Sequence, residues 1–197
     1  MNQNTDFAAL IGSRICHDLI SPIGAINNGL ELMEMSQPSG SQEMDLIAES
    51  VTNASARIRF FRIAFGAADT QMVGRAEVVS ILKDNYMSSR LSVIWGPEDG
   101  QPRRLVRLAF LAILCMESVM PYGGRVEISI EGGQIALTGH ADKFNVDESL
   151  WAMLESGANN DDLRPAQVQF GLLPTHAAAE GHTLRVERAE NTICISL

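Results

Sequence analysis

Only three cysteines, Cys16, Cys115 and Cys194, occur in 197 residues, and they stand far apart. An odd, scattered set offers neither a disulfide framework nor a Cys-x-x-Cys metal clamp, so a reducing cytoplasm is the expected compartment. Positive charge is also scarce: 15 Lys and Arg against 24 Asp and Glu leave a formal net charge of −9. That balance disfavours nucleic acid and acidic membrane surfaces as generic partners. Long apolar runs are missing as well. The longest, residues 105–120, is interrupted by Arg107 and Glu117 and is too short to span a bilayer. Residues 1–6 are polar and lack a basic start before an apolar run, so no signal peptide is expected. The four histidines, His17, His140, His176 and His182, share no ligand spacing, so no metal is expected.

The chain does have periodicity. Ile11, Ile15, Leu19, Ile23, Ile26, Leu30 and Met33 recur every three or four residues, one apolar stripe of a long helix. A second stripe runs through Met44, Ile47, Val51, Ala54, Ile58, Phe61 and Phe65, with steps alternating between three and four as in a bundle seam. Between them, Ser36-Gln37-Pro38-Ser39-Gly40-Ser41 reads as a helix-to-helix turn, and Ser41 is placed to cap the second helix. Met33, Met35 and Met44 read as bundle core. A lone hairpin of this kind leaves each stripe about half wet. Two remedies stand: packing on the rest of the same chain, or pairing with a second copy into a four-helix bundle, the reading preferred here.

After Gly74 the pattern changes. A helix over 76–86, a strand over 91–95 and a long helix over 103–119 precede the turn Pro121-Tyr122-Gly123-Gly124. Strands over 125–130 and 134–139 form a hairpin, followed by a short helix near 146–155 and a helix of about 166–180 closed by Gly181. A last hairpin, 183–188 with 192–197, ends the chain. The expected fold class is α+β. An N-terminal hairpin (1–70) forming a dimeric four-helix bundle comes first, then an α/β sandwich (71–197) with helices on one face of a mixed sheet.

At about 100° per residue, His17 lies roughly 200° from both Ile15 and Leu19, so it points to solvent. Its row, Leu10, Arg14, His17, Ser21, Gly24, Asn28 and Glu31, is polar or small around the ring and leaves room for another protein to approach. Asp18 sits beside it. Pro22, five residues on, has no N–H and frees the carbonyl of Asp18. This combination suits phosphoryl chemistry, with Asp18 orienting one ring nitrogen while the other attacks phosphorus.

The run His17-Asp18-Leu19-Ile20-Ser21-Pro22 resembles the H-box of sensor histidine kinases, in their dimerisation and phosphotransfer domain. The second segment, with Pro121, Gly123 and Gly124 after a helix and Phe170-Gly171-Leu172-Leu173 leading another, resembles their Bergerat-type ATP-binding domain. The nucleotide chemistry is missing. Leu111 and Cys115 stand where two asparagines would hold Mg²⁺ and phosphate, and Thr138-Gly139-His140-Ala141-Asp142 replaces the adenine-reading Asp-x-Gly-x-Gly. A kinase-like order with an H-box and an erased nucleotide site is similar to the ChpT-type histidine phosphotransferases of alphaproteobacteria, over essentially the whole chain. The resemblance implies a phosphorelay in which His17 takes a phosphoryl group from one receiver aspartate and passes it to another, in cell-cycle control. His17 and Asp18 are then the catalytic pair. Leu10, Ser13, Arg14, Ser21, Gly24 and Arg62 are the expected partner-binding residues. The chain needs no cofactor of its own, because the receiver supplies Mg²⁺. Ser21 stands where kinase relatives carry Thr or Asn to position water.

Some readings stay open at this level. Arg14 either neutralises phosphoryl oxygens or sits on a wet face; Arg57 and Arg59 read as solvated; Arg62 is solvated or docks an acidic partner. Two rival functions remain, a divergent ATP-dependent histidine kinase and a receiver-binding scaffold that carries no phosphate.

Overall fold

Asp6 starts the first helix: its Oδ1 accepts from the Ala9 amide at 3.1 Å, satisfying a donor the helix itself leaves free. Helix α1 then runs through Phe7–Met35 with Pro22 inside it, and α2 spans Gln42–Ala64. A computed structural model describes residues 6–35, 42–67, 71–157 and 163–197. The expected turn at 36–41, with its Ser41 cap, lies outside the described residues. The two helices pack side by side where Gly29 meets Ile47: a Cβ on Gly29 would lie 2.6 Å from Ile47 Cγ1. Here a glycine is required for close approach of the helices.

The apolar stripes divide at mid-length: one half packs on the rest of the same chain and the other half stays exposed. On the lower half of the hairpin, Phe7, Leu10, Ile11 and Ile15 pack partly buried against the C-terminal core, while Phe60, Phe61, Ile63 and Ala64 are part of it. Phe60 stacks on Phe110 of the next domain with ring centroids 4.6 Å apart, and Tyr86 meets it edge-on. On the upper half, Ile23, Leu30, Met44, Val51 and Ile58 stay between 47% and 50% exposed. Ile15 therefore packs, partly buried, on its own chain. The physical reason is length: α2 continues into the core, and its last two turns carry the lower half of α1 with them.

Beyond the hairpin, α3 (Arg75–Tyr86), β2 (Leu91–Trp95), α4 (Arg103–Val119), β4 (Gly124–Glu131) and β5 (Gln134–His140) follow the expected order. So do α5 (Glu148–Ser156), α6 (Val168–Ala179), β6 (Arg185–Ala189) and β7 (Thr192–Ser196). The sheet order is β2-β4-β5-β7-β6, with β2 parallel to β4 and the other pairs antiparallel. One face carries buried Val126, Ile128, Ile135, Leu137, Ile193 and Ile195, and the alternate residues are half-buried or exposed, so only one face is covered. Helix α4 fills the centre: every residue from Leu105 to Met116 is buried. The turn before β4 needs glycine, since Gly123 and Gly124 have φ of 96° and 144°.

Two short features escape the sequence pattern. Strands β1 (Met72–Val73) and β3 (Gln101–Pro102) pair antiparallel, each too short to have a period. The last long helix opens with a 3-10 turn, Pro165–Gln167, where the sequence predicts one continuous helix.

Because Phe60 and Phe110 share one core, hairpin and sheet unfold together. Phe60→Ala should cost about 3–5 kcal/mol, read as a lower urea midpoint with helical and near-ultraviolet signals falling at the same concentration. Loss of the helical signal alone would mean that the hairpin folds separately.

Candidate phosphotransfer site

His17 stands on α1 with its side chain 80% exposed, while its neighbour Asp18 is only 11% exposed. His17 Nδ1 lies 3.1 Å from Asp18 Oδ1. As a carboxylate Asp18 can only accept, so the ring hydrogen sits on Nδ1 and the lone pair of Nε2 is free to attack. The other carboxylate oxygen is taken. Arg14 Nε donates to Asp18 Oδ2 at 2.9 Å, and Arg57 Nε lies 4.0 Å from the same oxygen.

Both arginines are anchored to the C-terminal domain. Arg14 Nη1 donates to the Ala166 carbonyl in the 3-10 turn at 2.7 Å. Arg57 lies over the Phe61 ring, 3.3 Å from Glu117 on α4 and 3.4 Å from Asn85 on α3. Glu117 in turn accepts from the Tyr86 hydroxyl at 3.1 Å. Burial works against the Arg57 charge, but Glu117, Tyr86 and Asp18 push its pKa above the ordinary value. Burial, and then Glu117, push the Tyr86 phenol well above its usual range, so it stays a donor.

Of the expected docking residues, Ser13 and Ser21 are exposed, and a Cβ on Gly24 would meet nothing within 4 Å. Leu10 and Arg14 differ from expectation. Leu10 packs against the C-terminal core, and Arg14 is 12% exposed and held by two acceptors, so neither presents a free side chain to a partner. The cause is the C-terminal domain, which covers that side of α1. Arg62 is exposed on α2, and its carbonyl accepts from Arg103 at 2.8 Å. Arg59 pairs with Asp84.

Arg57 is the residue that sequence reasoning missed; it reads as solvated and is instead 25% exposed and four ways engaged. A signal existed. Counting outward from the 36–41 linker, an antiparallel hairpin sets position 57 across from position 20, within a turn of Asp18. The row Ser50, Asn53, Arg57 is polar on an otherwise apolar face. These residues, with Asp18, Ser21 and Asn85, line a cavity of about 440 Å³ beside the histidine.

At the place where a nucleotide would be held, Leu111 and Cys115 are both fully buried. Trp151 of α5 packs edge-on against Phe170 of α6, with centroids 6.0 Å apart. Gly171, the one glycine left of the last kinase-like box, faces Phe7: a Cβ there would lie 2.6 Å from its ring. These groups do not fit Mg²⁺, which requires hard oxygen ligands. Among the described residues, no three His, Cys, Asp or Glu converge as a metal set.

A family profile described as the histidine phosphotransferase C-terminal domain matches residues 75–192. The chain belongs to the histidine phosphotransferase family. The protein phosphotransferase ChpT of Brucella abortus (strain 2308) is 39% identical over 132 residues, 64% of this chain. That match spans 62% of the relative's length. A solved bacterial phosphotransferase superposes with a TM-score of 0.83 at 31% identity, covering 100% of this chain and 97% of that one. The buried centre of this chain has a chemical consequence. Burial lifts the Cys115 thiol well above its ordinary pKa, so iodoacetamide should label exposed Cys16 in the native protein and Cys115 only after unfolding. Native labelling of Cys115, detected by peptide mass mapping, would show that α4 opens.

Proposed function

We propose that this chain is a dimeric histidine phosphotransfer protein relaying phosphoryl groups between receiver aspartates through His17. The observation that carries the reading is the exposed imidazole with Nδ1 directed at Asp18 and Nε2 open to solvent. Nε2 attacks phosphorus of a receiver phospho-aspartate; a P–N bond forms as the P–O bond to aspartate breaks, and the aspartate leaves as a carboxylate. No proton needs to move. The phospho-imidazolium keeps its hydrogen on Nδ1, and Asp18 balances the new positive charge. The reverse sequence on a second receiver returns Nε2 to its starting state. Receiver-bound Mg²⁺ balances the phosphoryl oxygens, so this chain contributes position above all.

Ser13, Ser21 and Gly24 give the receiver a flat, small-residue landing around His17, with Leu10 and Arg14 shaping it from beneath. Arg62 offers charge to an acidic edge of the partner. The exposed row Ile23, Leu30, Met44, Val51 and Ile58 supports a dimer through the upper hairpin, since five half-wet aliphatics on one hairpin are what a four-helix bundle would cover. No described helix is long and apolar enough to cross a membrane; the charge balance and free cysteines favour the cytoplasm.

His17→Ala should leave a folded dimer that takes no phosphate from a phosphorylated receiver; labelled uptake by the variant would move the site. Alkali-stable, acid-labile phosphate on the wild type separates transfer from mere scaffolding. Gly24→Trp should keep the fold and block docking, because the space above Gly24 is open. Val51→Asp should dissociate the dimer in sedimentation by setting a charge in the seam. A monomeric wild type at micromolar concentration would sink the bundle. The kinase alternative requires Mg·ATP binding; calorimetry at millimolar Mg·ATP is expected to give no heat of binding, and autophosphorylation on His17 would favour a kinase.

A further inference from the structure

We propose that Arg57 and Glu117 are positioning residues for the transfer step, a relay through which the C-terminal domain sets the nucleophilicity of His17. The proposal rests on the phosphotransfer reading of His17 and goes beyond it by giving the C-terminal domain a part in the chemistry. A carboxylate on an exposed helix turns freely about its side-chain bonds. Asp18 does not, because one oxygen is held between Arg14 and Arg57 while the other meets His17. Arg57 is itself fixed from two further helices, by Asn85 of α3 and Glu117 of α4, and Tyr86 fixes Glu117. Movement of α4 against the hairpin would therefore reach the imidazole in three polar contacts.

The charges around this cluster nearly cancel. Helix α1 contributes Arg14 and Asp18 beside His17, α2 contributes Arg57, and α4 contributes Glu117. Helix α3 contributes Tyr86 and also Asp84, which is engaged with Arg59. The 3-10 turn offers only the Ala166 carbonyl. Two cations face two anions, so removing either sign is felt at His17. Loss of Arg57 leaves excess negative charge, which stabilises the imidazolium and moves its titration to higher pH. Loss of Glu117 leaves excess positive charge and moves it lower. Only the neutral ring attacks phosphorus, so the pH–rate profile should follow.

The test uses the full-length protein and two readouts. By NMR of the His17 ring, Arg57→Gln should raise its titration midpoint and Glu117→Gln should lower it, each by roughly 0.3–0.5 pH units, the Coulomb effect of one charge several ångströms away in water. Arg57→Lys keeps the charge but not the planar fork, so its midpoint should match wild type. Transfer from a phosphorylated receiver should slow roughly 10–100-fold in Arg57→Gln and Arg57→Lys, the usual penalty for a misplaced catalytic group. Midpoint shifts of the same sign would overturn the proposal, as would unmoved midpoints with slowed transfer, which mark Arg57 as structural only. Should Arg57→Gln fail to fold, Glu117→Gln and Arg57→Lys decide alone. The titration needs no transfer, so it can fail while His17 still carries phosphate; His17→Ala accepting phosphate would instead overturn the underlying reading.

Discussion

Every polar distance at the site depends on how the hairpin is seated, and the seat is aromatic. Phe60 lies flat on Phe110, with Phe61 and Tyr86 edge-on to it, inside a core that also holds α4. Such rings have no conformational slack at native packing density. With α2 fixed at Phe60, Arg57 one turn earlier has nowhere to swing and meets Glu117 and Asn85. A hairpin free to rotate on the sheet domain would break this alignment. Here the same core that holds the domains together also fixes the carboxylate beside the exposed imidazole.

In the second domain, the positions that the kinase resemblance would assign to nucleotide chemistry are taken by packing groups. Each group that replaces nucleotide chemistry has a partner in the fold. Leu111 and Cys115 are interior packing, Trp151 covers Phe170, and Gly171 makes room for Phe7 at the start of α1. Gly171 is informative because its missing side chain leaves room for Phe7, at the start of the helix that carries His17. Charge agrees with this. A net −9 chain offers no general field to hold a triphosphate, and the ion-paired cluster beside His17 leaves the ring exposed.

Much of the fold was legible because its signals are local. The apolar stripes, Gly123-Gly124 and the alternation in 125–130 and 134–139 each specify an element without knowledge of any other. His17 was legible for the same reason: its outward direction follows from angle counting along one helix. Arg14 and Arg57 were not, because their roles depend on the Ala166 carbonyl and on Glu117, more than fifty residues away in the chain. Periodicity says which face is polar. It does not say whether that face meets water or another domain. The same limit explains Ile15 of the apolar stripe and Leu10 of the His17 row, both of which pack against the C-terminal core. The ribbon of β1 and β3 failed differently, since two residues per strand have no pattern to read.

His17 sits where the two halves of the hairpin exchange environments, and this location has a physical logic. Below it, from Phe7 to Ile15, α1 is braced by the C-terminal core; above it, from Ile20 to Leu32, the helix presents aliphatic residues to solvent. A nucleophile placed lower would be covered by the 3-10 turn that holds Arg14. One placed higher would lose Asp18's two guanidiniums and stand where the C-terminal core no longer braces α1. Pro22 marks the transition, since the carbonyl of Asp18 lacks its usual donor there. Rigidity from one side and open surface on the other are both required for a group that must be held still and still be reached. In this chain they coincide along only about one turn of α1.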